Sequence, residues 1–179
     1  IALSPDQSTA YLRRSKVRLA ARQFEAALAD LQAAADLDPK STAVYQSQAR
    51  VYRASGNLQE SIAALSRAIE LDGRNLQNLI ERARSYQALG QLDEALLDLD
   101  QVIRIDPGNP AALDQRGEIH MLRNEYAAAI QDYTDLIQSQ PDDATAYLAR
   151  GHALQASGDS AAALSDFQKA TTIDLGSAD

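Results

Sequence analysis

Cysteine and tryptophan are absent, and the chain holds one Met, two Phe and two His. Without cysteine there are no disulfides, thiolate zinc sites or cysteine nucleophiles. That absence leaves the compartment open, with a soluble cytoplasmic chain the favoured expectation. His120 and His152 are far apart in the chain with no second His beside either, so no metal set forms and no cofactor is expected. Apolar runs are too short for the roughly 18 residues that a membrane-spanning helix needs. No glycine-rich phosphate loop occurs; Gly108 is a turn residue in IDPGNP. Basic charge is in deficit, 17 Lys and Arg against 25 Asp and Glu, for a net charge of −8. A nucleic-acid partner is therefore disfavoured, because the phosphate backbone calls for a basic face.

What is present is an ordinary globular composition, 45% hydrophobic and 23% charged over 179 residues, arranged with a strict period. Pro5, Pro39, Pro107 and Pro141 lie on a comb of constant spacing whose remaining slot is Gly73. Gly56, Gly90, Asn124 and Gly158 form a second comb of the same spacing, and Ala27, Ser61, Ala95, Ala129 and Ala163 a third. Counting from Ser8 gives five repeats without insertion: 8–41, 42–75, 76–109, 110–143 and 144–177. Position 8 is small in each (Ser15, Ala49, Ala83, Gly117, Gly151), and position 24 is large (Leu31, Leu65, Leu99, Tyr133, Phe167). Small residues let a neighbouring helix approach, and large ones fill the space beside them. Each repeat reads as two helices, near positions 1–14 and 18–31. Gly or Asn at position 15 suits a left-handed closure of the first helix. Pro or Gly at position 32 stops the second. A hairpin of two such short helices cannot bury its apolar faces alone, so neighbours must stack.

These small positions (8, 20 and 27), the aromatic or leucine positions (4, 11 and 24) and the proline at 32 resemble the tetratricopeptide repeat family over residues 8–177. The resemblance implies an all-α fold, a right-handed superhelical solenoid of five tandem helix-turn-helix hairpins, with the first helix of each pair lining a concave face. Repeat 1 departs from the pattern at Arg18 and Arg22, and repeat 5 at Ser160 and Leu175. Residues 1–7 align with the tail of a preceding repeat, and nothing after repeat 5 resembles a polar closing helix. The expectation is a stretch cut from a longer array.

Position 7 carries Arg14, Arg82, Arg116 and Arg150, and position 23 carries Asp30, Asp98, Asp132 and Asp166. Repeat 2 has neither, with Gln48 and Ala64 in those places. Joint presence and joint absence suggest four ion pairs inside hairpins, where an Arg fork can grip a carboxylate with two parallel hydrogen bonds. The other reading is an exposed arginine row that holds an acidic ligand.

By the family resemblance, ligands touch positions 2, 5, 6, 9, 12 and 13 of each repeat. The groove residues chosen on that basis are Arg13, Lys16, Arg50, Arg53 and Arg84, with Gln46, Gln87 and His152 secondary. Residues 8–75 hold ten Lys or Arg against seven Asp or Glu, while residues 76–143 hold five against thirteen. Such an array would orient a peptide with its acidic part over the first repeats; solvated helix faces without a ligand are the plain alternative. The carboxylate clamp of co-chaperones is not matched: its slots hold Leu12, Lys16, Ser47, Gln77 and Glu81, and the next register holds Gln46, Arg50, Glu81, Ala111 and Gln115. His120 falls in a slot that is Tyr52 or Tyr86 elsewhere and reads as packed, whereas His152 reads as exposed. The expected function is a non-enzymatic scaffold that binds a partner peptide or helix in its groove. The alternatives are a spacer or head-to-tail self-assembly segment, or a substrate-recruiting module of an enzyme whose catalytic domain lies elsewhere.

Overall fold

The computed structural model describes residues 5–176. Residues 1–4 of the expected upstream tail, and residues 177–179, lie outside the described residues. Among the described residues there are ten helices and no strand: α1 (Pro5–Ala20), α2 (Phe24–Leu37), α3 (Thr42–Ala54), α4 (Leu58–Leu71), α5 (Leu76–Ala88), α6 (Leu92–Ile105), α7 (Pro110–Leu122), α8 (Tyr126–Ser139), α9 (Ala144–Ser157) and α10 (Ser160–Gly176). They fall into two compact units that divide between Ala95 and Leu96.

The punctuation of the helices follows from the sequence. α1, α3, α5, α7 and α9 are each closed by a left-handed residue: Arg22, Gly56, Gly90, Asn124 and Gly158, with φ between 57° and 96°. The next amide reaches back to close the helix, as in Asn57 N–H to the Tyr52 carbonyl (2.8 Å) and Glu125 N–H to the His120 carbonyl (2.8 Å). This is a Schellman closure, satisfying carbonyls that a helix end otherwise strands. Arg22 adopts it without being glycine. The second helices stop one residue earlier than the spacing suggests, because Asp38, Asp72 and Gln140 leave helical geometry at φ between −144° and −136°. α1 starts ahead of Ser8, at Pro5, where a missing N–H costs nothing. α10 has Leu175 instead of a proline and runs on to Gly176.

In the first unit α1 packs on α2, α3 on α2 and α4, and α4 on α5. Ala27, Leu31 and Val51 are buried together beneath Leu12, Leu19 and Phe24. In the second unit α8 packs between α7 and α9, and α10 closes on α9. Leu113, Ala129, Tyr133, Leu136 and Ala153 form its core. Close approach is specified residue by residue. A Cβ on Gly117 would lie 2.7 Å from the Tyr133 ring, and one on Gly151 would lie 2.5 Å from the Phe167 ring. Within the first unit the corresponding pairs are Ser15 with Leu31 and Ala49 with Leu65, so a larger small-residue slot goes with a smaller partner.

A ladder of guanidinium groups stitches the helices. Arg14 donates to Asp30 through Nε (3.0 Å) and Nη2 (2.5 Å). Arg116 holds Asp132 (2.6 Å) and Arg150 holds Asp166 (2.8 Å) in the same forked way. All three carboxylates are buried. Arg82, Arg116 and Arg150 also reach back to the preceding second helix: Arg82 to the Ser66 hydroxyl (2.9 Å), Arg116 to Asp100 (2.7 Å) and Arg150 to the Thr134 hydroxyl (3.2 Å). Tyrosine rings cover the guanidinium groups, Tyr11 over Arg14 (5.3 Å), Tyr86 over Arg82 (5.8 Å) and Tyr147 over Arg150 (5.7 Å). Asp98 is buried as well. Two departures from the repeat pattern join the ladder. Arg18 pairs with Asp30 (2.8 Å) and caps the Ala26 carbonyl (2.9 Å). His120 is half-buried, with Nδ1 2.6 Å from Glu125 and Nε2 3.8 Å from Asp132.

Three outcomes are expected. Gly117→Ala destabilises by about 1–3 kcal/mol through overpacking, and Tyr133→Leu in the same chain recovers part of the loss, read by a denaturation double-mutant cycle. Arg116→Ala costs about 3 kcal/mol because it strands a buried carboxylate, while Arg116→Ala with Asp132→Ala costs less than the single change. The hydrogen bond from Arg14 holds Asp30 below its ordinary value of 3.8. Its contribution is therefore complete above that value and is lost as pH falls through the lowered one. Asp30→Asn should lower stability near neutrality and flatten the loss of stability below about pH 4, seen in pH-dependent thermal melts.

Candidate functional site

α3 and α5 lie side by side in the first unit and enclose a cleft. Gln46, Arg50 and Arg53 come from α3, and Gln77, Asn78 and Glu81 from α5, with Ala49, Ser61 and Leu65 as the floor. The helical repeat explains the set. Residues 46, 50 and 53 recur at four and three, and 77, 78 and 81 at one and three, so each helix turns one face to the cleft.

Glu81 organises one side. Its carboxylate pairs with Arg53, accepts from Gln77 Nε2 (3.0 Å) and meets Arg84 Nη1 (3.3 Å). The Glu81 side chain is 16% exposed, so these donors meet a partly desolvated charge. Beneath it, the Ser85 hydroxyl donates to the Glu81 carbonyl (3.2 Å) and lies 3.1 Å from the Ser61 hydroxyl.

Asn78 forms the other side. It is 1% exposed, and its Oδ1 accepts from Gln46 Nε2 (2.7 Å). Its Nδ2 has no hydrogen-bond partner among the described residues. A stranded buried donor costs about 1–3 kcal/mol, which an incoming acceptor would recover. Asn78 was not among the residues singled out from the sequence, although a signal existed. The equivalent places in the other four repeats hold Ala10, Val44, Ala112 and Ala146, so an asparagine there is the polar exception.

The selected groove residues thus divide. Gln46, Arg50 and Arg53 meet in the cleft, with Arg84 on its Glu81 edge. Arg53 and Arg84 are not free cations, since both share Glu81. Arg50 is exposed and makes no ion pair among the described residues, and the same holds for Arg13 and Lys16 on α1. Gln87 is half-buried on the last turn of α5. His152 belongs to the second unit, exposed, with its ring 5.2 Å from Phe167. Among the described residues no group of His, Asp and Glu is placed to hold a metal ion, and no helix is long and apolar enough to cross a membrane.

The fold has close counterparts. A crystal structure of MamA protein superposes with a TM-score of 0.85 at 19% identity, covering 98% of this chain and 96% of that one. MamA from Desulfovibrio magneticus RS-1 gives 0.85 at 16% identity over 98% of both chains. YrrB, described as a TPR protein with an unusual peptide-binding site, gives 0.73 at 20% identity over 91% of this chain and 84% of that one. No match is found among curated protein sequences. The family model for the tetratricopeptide repeat matches residues 7–75, 80–144 and 115–178, nearly the whole length. Period, helix pairs and matched family agree, and the chain belongs to the tetratricopeptide repeat family.

Proposed function

We propose that the chain is a non-enzymatic protein-interaction module whose α3–α5 cleft takes an extended, acidic segment of a partner protein. The observation that carries this reading is the pairing of two unmet demands in one cleft. Asn78 Nδ2 is a buried donor without an acceptor, and Arg50 is an exposed cation without an anion. The cleft has a volume of about 10 Å³, room for one small group. A single peptide carbonyl oxygen therefore suits the first demand, and a carboxylate side chain suits the exposed second. An extended backbone offers free carbonyls, whereas a helical ligand has spent its own on internal hydrogen bonds. Lys16 and Arg13 add unpaired positive charge within the same unit, which favours acidic segments at encounter. The description of YrrB as having a peptide-binding site supports the ligand class. The Glu81 network fixes the cleft wall before binding, so little ordering remains to oppose association.

The test is fluorescence anisotropy with labelled ten-residue peptides, acidic and basic, at about 50 mM and 200 mM salt. Acidic peptides are expected to bind, and more weakly at the higher salt. Lys16→Glu with Arg50→Glu should weaken them at least tenfold with an unchanged melting temperature, because both side chains are exposed and unpaired. Asn78→Ala should weaken acidic and neutral extended peptides alike. Equal affinity for the charge-reversed variant, or no preference for acidic peptides, would refute the reading.

A further inference from the structure

The guanidinium ladder has one missing rung, and the place where it is missing is a recess. Around Arg116 and Arg150 the partners lie 16 residues ahead and 16 behind; Asp30 lies 16 ahead of Arg14, and Ser66 lies 16 behind Arg82. The covering tyrosine lies three residues before (Tyr11, Tyr147) or four after (Tyr86). For Gln48, the residue in the equivalent place on α3, these offsets give Gln32, Ala64, Tyr45 and Tyr52. All four, with Gln48 itself, line one recess of about 360 Å³ on the first unit. Among the described residues no side chain fills it, and the half-buried Gln48 amide makes no hydrogen bond to any of them. Glu60, one turn before Ala64 on α4, also lines the recess and is exposed without an ion-pair partner. The other charge on its wall, Arg67, is paired with Glu70 at 2.7 Å, and the Tyr45 hydroxyl donates to the Pro39 carbonyl (3.1 Å).

We infer that this recess is a docking site for an arginine side chain presented by a partner protein. The tyrosine positions of the ladder are kept here, while Gln48 and Ala64 stand where the other rungs have the guanidinium and its buried aspartate. Tyr45 and Tyr52 both line the recess, and aromatic rings attract a planar cation. The Gln48 carbonyl oxygen is a free acceptor. Glu60 supplies the counter-charge that Ala64 does not, and it does so at the rim, where a partner's side chain would enter. Arginine is preferred over lysine because its flat, weakly hydrated fork stacks on tyrosine and spans two acceptors. The site is separate from the α3–α5 cleft. Residues 45, 48 and 52 face roughly 130° round α3 from residues 46, 50 and 53, given the turn of an α-helix.

The experiment is an NMR titration of the Tyr45 and Tyr52 ring resonances with three blocked tripeptides, acetyl-Gly-Arg-Gly-amide and its Lys and Phe counterparts. The Arg tripeptide should give a saturable shift of both rings, with the Lys tripeptide at least threefold weaker. Gln48→Arg with Ala64→Asp rebuilds the rung from within and should abolish the shift while keeping the fold. Glu60→Gln alters only an exposed side chain and should weaken binding at least twofold, which keeps the test decisive if the double variant misfolds. Silent rings, an equal response to the Lys or Phe tripeptide, or binding that survives the rebuilt rung would each overturn the inference. Acidic-peptide affinity measured on the same variants should not move, so failure here is distinct from failure at the cleft.

Discussion

A carboxylate buried in a helix interface must be met by a cation or it will not stay ionised there. The second helices of this chain bury Asp30, Asp98, Asp132 and Asp166, and the packing of their partners is arranged around that demand. The guanidinium fork fixes distance and orientation at once, which small apolar residues in contact do not. Tyrosine rings lie over three of the arginines, and the hydroxyls of Ser66 and Thr134 and the carboxylate of Asp100 take the remaining guanidinium donors. The asymmetry of buried pairs explains how the ladder tolerates a gap. Removing one partner strands a charge at a cost of several kcal/mol, while replacing both with neutral groups is close to neutral. Gln48 and Ala64 are such a joint replacement within the same chain.

Close packing imposes the second constraint, and it acts on pairs of positions. Tyr133 and Phe167 occupy the volume that a Cβ on Gly117 or Gly151 would need. Where the large partner is leucine, serine or alanine fits instead. The sequence therefore varies at both positions of a pair while their combined volume is held, as dense interiors require. The Gly117–Tyr133 and Gly151–Phe167 pairs each lie between the two helices of one hairpin, so they set how closely those helices approach.

This is why so much of the fold was legible from the residues alone. Helix ends are local events, set by Gly56, Gly90, Asn124 and Gly158 and by the prolines, and period and pattern point to the same answer. The Arg–Asp contacts were legible for a different reason: the paired absence at Gln48 and Ala64 turns one sequence into its own comparison. The cleft was legible only in outline. That Arg53 reaches Glu81 depends on which rotamers cross from α3 to α5, and no spacing rule encodes it, whereas Arg84 meets Glu81 three residues along the same helix. The sequence placed five cations in a strip, and the structure leaves Arg13, Lys16 and Arg50 unpaired. Asn78 needed both the repeat comparison and burial to be recognised, because an isolated asparagine on a helix reads as solvated. Arg22 departs from the glycine comb in residue type yet keeps its left-handed geometry, so glycine eases this closure without being required for it.

α3 joins these strands of argument, since one helix presents two polar faces with opposite preferences. Toward α5 it offers Arg50 and Gln46 beside the unpaired Asn78 donor, a surface short of acceptors. Toward α2 and α4 it offers Tyr45, Tyr52 and the Gln48 amide with Glu60 across from them, a surface short of a cation. Both follow from departures from the repeat at single positions: asparagine for alanine or valine at 78, glutamine for arginine at 48, alanine for aspartate at 64. In a repeat array the regular positions are committed to holding neighbours together. The irregular ones leave polar groups unmatched, and the selectivity proposed for this chain rests on those exceptions to the period.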